Sequence, residues 1–143
     1  MKDYSDLKLD NQICFSLYAA SREIIKLYKP ILDELNLTYT QYIVMIVLWE
    51  ERKATVKQIG NRLHLDSGTL TPLLKKLEVM ELIKRYRDEN DDRVVIAELT
   101  EKGSSLQEKA KDIPSKMMCN INISKEKAAE LKRYLDELLE NLE

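Results

Sequence analysis

The feature that most constrains this fold is a pair of short segments with apolar residues at helical spacing. Each segment follows a capping residue, and a short turn joins the two. Thr55 and Gln58 form a capping box in front of VKQIGNRLHL, which carries one short apolar stripe. Asp66 is a good N-cap for the following SGTLTPLLKKLEVM, whose leucines recur at helical spacing, although Pro72 lies inside it. Two short helices joined in this way predict a helix-turn-helix.

The hydrophobic period changes directly after this motif. The runs from Ile83 to Tyr86 and from Val94 to Leu99 are typical of strands, and they flank the polar cluster DENDD. This pattern predicts a β-hairpin, which beside a helix-turn-helix would form a wing.

The rest of the chain is predicted to be helical, because glycine and proline are few and apolar residues recur at helical spacing. We expect five further segments: Asp10 to Lys26, Ile31 to Leu35 behind Pro30, the apolar stretch after Thr38, a polar stretch from Thr100 interrupted at Pro114, and a leucine-striped stretch after Ser124. The predicted class is mainly α with a small hairpin wing, in one domain spanning residues 1–143.

Charge is distributed unevenly along the chain. Residues 52–87 carry nine basic and three acidic side chains, an excess of six positive charges, whereas the net charge of the whole chain is −2. A basic lobe on an acidic scaffold favours nucleic-acid binding, although a solvated basic face without a partner gives the same pattern.

The candidate DNA contacts follow from this motif. With the leucines turned inward, the second helix presents short hydroxyls near its N-terminus and two lysines, and the hairpin adds basic residues and an Asp-x-Arg pair at its tip. The candidates are Ser67, Thr69, Thr71, Lys75, Lys76, Arg85, Arg87, Asp91 and Arg93. An ordinary polar surface is the alternative for each of them.

Cys14 lies in the first turns of the first predicted helix, where free amide groups and the helix dipole favour a thiolate. Tyr18 is one turn further and shares its face. On this basis alone a core thiol remains the alternative. The only other cysteine is Cys119, and with a single histidine the chain offers no zinc site, so we expect neither a metal nor a cofactor.

Together these segments resemble the MarR family of regulators. The stretches NQICFSLYAASREIIKLYKPILDELNLTYTQY and LDSGTLTPLLKKLE resemble its organic-hydroperoxide-sensing branch, and the likeness runs from about Leu9 through Ile113. It implies a transcriptional regulator, most simply a repressor, that releases DNA when Cys14 is oxidised by an organic hydroperoxide or a related oxidant.

The resemblance also implies roles for particular segments. Tyrosines from two subunits would hydrogen-bond the sensor cysteine, at the positions of Tyr18, Tyr28 and Tyr39. Residues 1–36 and 100–143 would build a homodimer, and residues 38–99 would form the winged lobe. Such a dimer would bind a pseudo-palindromic operator in double-stranded DNA.

Cys119 departs from the single-cysteine type of this branch, which relies on a small thiol. A two-cysteine type implies a disulfide between Cys14 and Cys119 of the partner chain, with a bystander thiol as the alternative. Two rival functions remain: release by an aromatic ligand bound near Tyr18, Tyr28, Tyr39 and Trp49, and thiol peroxidase activity. We expect a regulator rather than an enzyme, and, because no leader or membrane-spanning segment is evident, a cytoplasmic one.

Overall fold

Seven α-helices and one small antiparallel sheet make up the computed structural model, which describes all 143 residues. The elements in chain order are α1 (Ile13–Asp33), α2 (Tyr39–Glu51), β1 (Lys53–Thr55), α3 (Val56–Leu63), α4 (Ser67–Val79), β2 (Ile83–Arg87), β3 (Val95–Leu99), α5 (Glu101–Ala110), α6 (Ile113–Ile121) and α7 (Lys125–Leu142). The residues Met1–Lys111 form one compact unit and Asp112–Glu143 a second. No helix combines the length and the apolar character that crossing a bilayer requires.

The predicted capping residues begin their helices. The Thr38 and Thr55 hydroxyls each accept a hydrogen bond from the backbone N–H of the glutamine three residues on. The side-chain oxygen of that glutamine accepts one from the threonine backbone N–H, so both form capping boxes. Asp66 accepts from the Thr69 N–H at 2.7 Å. Ser124 caps α7 in the same manner. These bonds satisfy amide groups that would otherwise lack partners, and they fix where each helix starts.

The predicted helix-turn-helix is confirmed as α3 and α4. His64 ends α3 in the left-handed conformation, with φ of 55°, and the Leu65 N–H then bonds the Gly60 carbonyl. The backbone of Leu65 passes so close to Gly60 that a Cβ on Gly60 would lie 2.7 Å from the Leu65 carbonyl oxygen. The fully buried Leu70, Leu74 and Leu77 of α4 form its inner stripe, and α2 packs against both helices.

The predicted hairpin is confirmed, and it belongs to a three-stranded sheet of order β1-β3-β2. Strand β2 pairs with β3 from Ile83 opposite Leu99 to Arg87 opposite Val95. Sequence analysis did not identify β1, which is three residues long and pairs with the other side of β3. So short a strand carries no detectable period, and its formation depends on a partner some 40 residues away.

The predicted break at Pro30 is wrong, since α1 continues through it as one helix of 21 residues. An internal proline removes only one helical hydrogen bond, and Leu32, which is 1% exposed, anchors the last turn in the core. The predicted start at Asp10 is also wrong, because Leu9–Asn11 form a separate 3-10 turn. The predicted interruption at Pro114 is confirmed, because it lies in the first turn of α6, after α5 has ended at Ala110.

Candidate functional site

A groove of about 620 Å³ separates the start of α4 from the hairpin. One wall carries hydroxyl and amide side chains from α3 and α4, and the other carries arginines from β2 and the hairpin tip. The lining residues include Lys57, Asn61, Ser67, Thr71, Arg85 and Arg93. Apolar side chains such as Leu70 and Val95 cover much of the groove, but three cationic side chains against the single acid Asp66 give it a net positive charge, which suits a polyanion.

The first turn of α4 presents Ser67 and Thr69 to solvent, and the half-buried Thr71 lines the groove. Lys75 and Lys76 are exposed one to two turns further along the same helix. Asp66 caps this turn through the backbone N–H of Thr69 and leaves the three hydroxyls unengaged by the cap. The hydroxyls therefore stand beside the positive end of the helix dipole, where a phosphate or a base edge can approach.

The hairpin tip holds an oriented arginine. Arg93 donates from Nε to one oxygen of Asp91 at 3.0 Å and from Nη2 to the other at 3.3 Å, yet 91% of the Arg93 side chain is exposed. The same contact lowers the pKa of Asp91. Arg87 donates to the backbone carbonyl of Asp92 at 2.6 Å. Both contacts order a projecting tip with a cation at its surface.

Arg85 lies in a different environment from the other basic candidates. Its guanidinium pairs with Glu78 of α4, with Nη2 3.1 Å from Oε1, and its side chain is 20% exposed. The pairing lowers the pKa of Glu78. Sequence analysis did not single out Glu78, because a glutamate near a helix end carries no signal until β2 folds back beside it.

The two cysteines are exposed, Cys14 in the first turn of α1 and Cys119 near the end of α6. Gln12 precedes α1 and directs its side-chain amide to the carbonyls of Asp6 and Lys8. The first turn of α1 contains no acidic residue that would oppose a thiolate. Cys14 is therefore an accessible thiol at the positive end of a long helix.

The tyrosines predicted around Cys14 fall into two groups. The rings of Tyr28 and Tyr39 are in tilted contact, with centroids 4.8 Å apart, and both rings contact Tyr42, which the sequence did not single out. Tyr18 is 59% exposed, and its ring lies against the Arg22 guanidinium. Within one chain the structure thus joins two of the three predicted tyrosines.

Burial raises the pKa of all three clustered phenols. Loss of hydration raises the pKa of Tyr28 to about 12, and the neighbouring Tyr39 and Tyr42 contribute. Desolvation also raises the pKa of Tyr39 and of Tyr42. At neutral pH these groups are hydrogen-bond donors. The cluster extends to Trp49, which contacts Tyr42 edge-on and donates its indole N–H to the Gly103 carbonyl at 2.9 Å.

The first and last helices carry uncovered apolar side chains. Leu32 is the only buried residue of α1, and α7 has none. Exposed apolar residues on these helices include Ile13, Phe15, Ile25, Leu131, Leu138, Leu139 and Leu142. Each of these helices therefore leaves an apolar stripe in water, which is typical of a surface for association.

Comparison with known proteins identifies close relatives. Residues 26–110 match the family model of the transcriptional regulators SarA/Rot. The chain is 51% identical to the organic hydroperoxide resistance transcriptional regulator of Bacillus subtilis, over 97% of this chain and 95% of that protein.

Solved structures of AbfR from Staphylococcus epidermidis share the fold. Reduced AbfR bound to DNA is 36% identical with a TM-score of 0.80, covering 96% of both chains. Overoxidised AbfR is also bound to DNA, at 35% identity and a TM-score of 0.78, covering 96% of this chain and 97% of that one. Disulfide-formed AbfR is 38% identical with a TM-score of 0.67, covering 94% of both chains.

Proposed function

Because this chain belongs to the MarR family of transcriptional regulators, in its organic-hydroperoxide-sensing branch, we propose that oxidation of Cys14 releases it from its operator. The observation that carries the proposal is the exposed Cys14 thiol in the first turn of α1, the helix that also bears Tyr28 of the tyrosine cluster. The chain is thus a redox-sensing DNA-binding regulator rather than an enzyme.

DNA recognition is assigned to residues 38–99. Helix α4 enters a major groove with Ser67, Thr69 and Thr71 toward the bases, and Lys75 and Lys76 neutralise phosphates. Arg93, oriented by Asp91, reaches the adjacent minor groove. The groove between α4 and the hairpin supports this assignment, because its lining holds three cationic side chains and one acidic side chain.

Dimerisation is assigned to residues 1–36 and 100–143. The exposed apolar stripes of α1 and α7 support this assignment, because a second copy would remove them from water. A two-fold dimer presents two α4 helices and matches a pseudo-palindromic operator in double-stranded DNA.

Sensing begins with the Cys14 thiolate. The sulfur attacks the terminal oxygen of an organic hydroperoxide and the O–O bond breaks. The alkoxide that leaves takes up a proton and becomes the alcohol. The product is Cys14 sulfenic acid. Tyr18, Tyr28 and Tyr39 are assigned as donors to this sulfur across the dimer; the close contact of Tyr28 with Tyr39 supports a shared role for these two.

Resolution is assigned to Cys119 of the partner chain. Its thiol attacks the sulfenic sulfur, a disulfide forms and water leaves. Cys119 is exposed and thus free to react. Because overoxidised AbfR is still bound to DNA, we infer that disulfide formation, rather than oxidation of the sulfur alone, moves the two lobes out of register with the half-sites. Both lobes must engage together, so a shift of a few ångströms suffices.

A DNA-binding titration at fixed salt tests this function. The operator is first selected from random duplexes with reduced protein; reduced, peroxide-treated and dithiol-rescued wild type are then compared with Cys14→Ser and Cys119→Ser. We expect peroxide to abolish wild-type binding reversibly, Cys14→Ser to stay bound, and Cys119→Ser to lose the covalent dimer on a non-reducing gel.

Equal binding by oxidised and reduced wild type would refute the redox switch. Release by an aromatic acid under those conditions would identify a ligand-responsive regulator instead. A covalent dimer in peroxide-treated Cys119→Ser would refute the resolving role of Cys119 and leave the sensor role of Cys14 intact.

A further inference from the structure

Glu78 bridges the two elements that are proposed to read DNA. It lies in the last turns of α4, and its two carboxylate oxygens hold two different groups of Arg85 on β2. Oε2 accepts the Arg85 backbone N–H at 3.2 Å, and Oε1 accepts Nη2 of the guanidinium at 3.1 Å. One side chain thus fixes both the backbone and the side chain of its neighbour.

The bond to the backbone is available because β2 is an edge strand. The sheet order β1-β3-β2 leaves one side of β2 without a strand partner, and Glu78 provides an acceptor there. Exposed edge amides are otherwise left to water or to another chain. Glu78 therefore attaches the hairpin to α4 at Arg85, two residues beyond the first residue of β2.

Arg85 depends on this contact. Its side chain is 20% exposed, and its Nε is buried without a hydrogen-bond partner. A largely desolvated guanidinium is retained only where an anion compensates its charge. Without the Glu78 carboxylate, Arg85 would have to leave its position, and the end of the groove that it lines would change.

Glu78 is negatively charged, which is unfavourable in a lobe that faces DNA. A carboxylate near the phosphates weakens the binding of a polyanion. We propose that Glu78 is a positioning residue for operator recognition. By holding Arg85, it sets the hairpin that carries Arg93 relative to the reading helix α4, so that the major and minor grooves of the DNA are engaged together. The proposal rests on the DNA-binding function proposed above.

The experiment compares Glu78→Gln with Glu81→Gln in the reduced protein. Both variants remove one acid near the end of α4, but Glu81 is exposed and only its backbone makes hydrogen bonds, from its N–H to the Glu78 carbonyl and from Thr100 Oγ1 to its own carbonyl. Each is titrated against the selected operator and against a random duplex of equal length. Electrostatics alone predicts tighter binding of both variants to both duplexes.

The positioning role predicts a different result. Glu78→Gln binds the operator roughly tenfold more weakly than wild type, a typical coupling between contacting residues, while its affinity for the random duplex is unchanged or higher. Glu81→Gln binds both duplexes at least as tightly as wild type. Relative to wild type, the double variant Glu78→Gln/Arg85→Gln loses operator affinity by a smaller factor than the product of the factors lost by the two single variants.

Equal operator affinity of the two glutamate variants overturns the proposal. If Glu78→Gln loses the same affinity for the operator and for the random duplex, the proposal is overturned as well. Such a loss is the result of general unfolding, which does not discriminate between DNA sequences. A wild-type protein that selects no operator at all would instead refute the proposed function, which separates the two failures.

Discussion

At the scale of single residues, environment separates groups that are alike in sequence. Arg85 and Arg93 are both hairpin arginines, but Arg85 is largely buried against Glu78. Arg93 projects into solvent, and the Asp91 carboxylate orients its guanidinium. Tyr18 and Tyr28 share one helix, but only Tyr28 joins the aromatic cluster. The sequence predicted the residue types at this surface, whereas their charge partners depend on how β2 returns beside α4.

The Arg93 side chain is expected to contribute to operator affinity in the reduced protein. Arg93→Ala removes one exposed cation that Asp91 holds in place. We expect operator affinity to fall about tenfold and the slope of log affinity against log salt to decrease by about one. A salt series of binding titrations measures both quantities. The exposed Lys109→Ala on α5 removes the same charge; an equal effect from it would refute the assignment.

The raised pKa of Tyr28 predicts a pH dependence of stability. The unfolded phenol ionises near pH 10, whereas the folded one ionises near 12. Between these values the unfolded state loses the proton first, so the free energy of unfolding falls as pH rises, and the contribution is fully present below pH 10. Tyr28→Phe should flatten this fall.

Urea unfolding at fixed protein concentration from pH 8 to pH 11.5 measures this dependence. The exposed Tyr4→Phe should retain the wild-type slope. If Tyr28→Phe follows the wild-type curve throughout, the phenol is not desolvated in the folded protein.

At the scale of elements, the first turn of α5 approaches the backbone of Leu82, the residue before β2, very closely. A Cβ on Gly103 would overlap the Leu82 carbonyl oxygen, which is backbone and cannot move aside alone. On the same turn, Thr100 Oγ1 donates to the Glu81 carbonyl at 2.6 Å. Glycine is required here by close approach, since its φ is not positive.

Gly103→Ala is therefore expected to destabilise the protein by about 2–3 kcal/mol, as overpacking in a rigid site does. Gly68→Ala is the matched change, because its Cβ would meet only Asp66 Oδ1 at 3.4 Å. That variant should be neutral or slightly stabilising, since alanine reduces the entropy of the unfolded chain. Urea denaturation measures both; equal stabilities would contradict the contact.

Local signals predicted most of these elements and failed where tertiary contacts decide. Capping side chains marked α2, α3, α4 and α7, because their hydrogen bonds span only three residues. The rule that proline interrupts a helix predicted a break at Pro30, but the burial of Leu32 two residues later keeps the helix continuous. Strand β1 and the role of Gly103 depend on partners far along the chain, so no local pattern encodes them.

At the scale of the whole molecule, association should depend on the exposed leucines of α7. Leu131 is 50% exposed on a helix without buried residues. Leu131→Asp is expected to raise the dimer dissociation constant at least tenfold, since it places a charge in a desolvated interface, and to weaken operator binding in parallel. Sedimentation velocity over a concentration series measures the first effect.

Lys132→Asp is the adjacent control, because Lys132 is a solvent-exposed residue that pairs only with Asp136 on its own helix. It should leave the dimer essentially intact. A Leu131→Asp protein that sediments as wild type would place the dimer interface elsewhere.

Trp49 gives the molecule an intrinsic optical reporter. It is the only tryptophan in the chain, and its indole lies between the edge of Tyr42 and the Gly103 carbonyl. Excited tyrosines of the cluster lie close enough to transfer energy to it, and the hydrogen bond sets the polarity around its ring. A change in emission wavelength after peroxide treatment, absent in Cys14→Ser, would follow the switch in unlabelled protein and in real time.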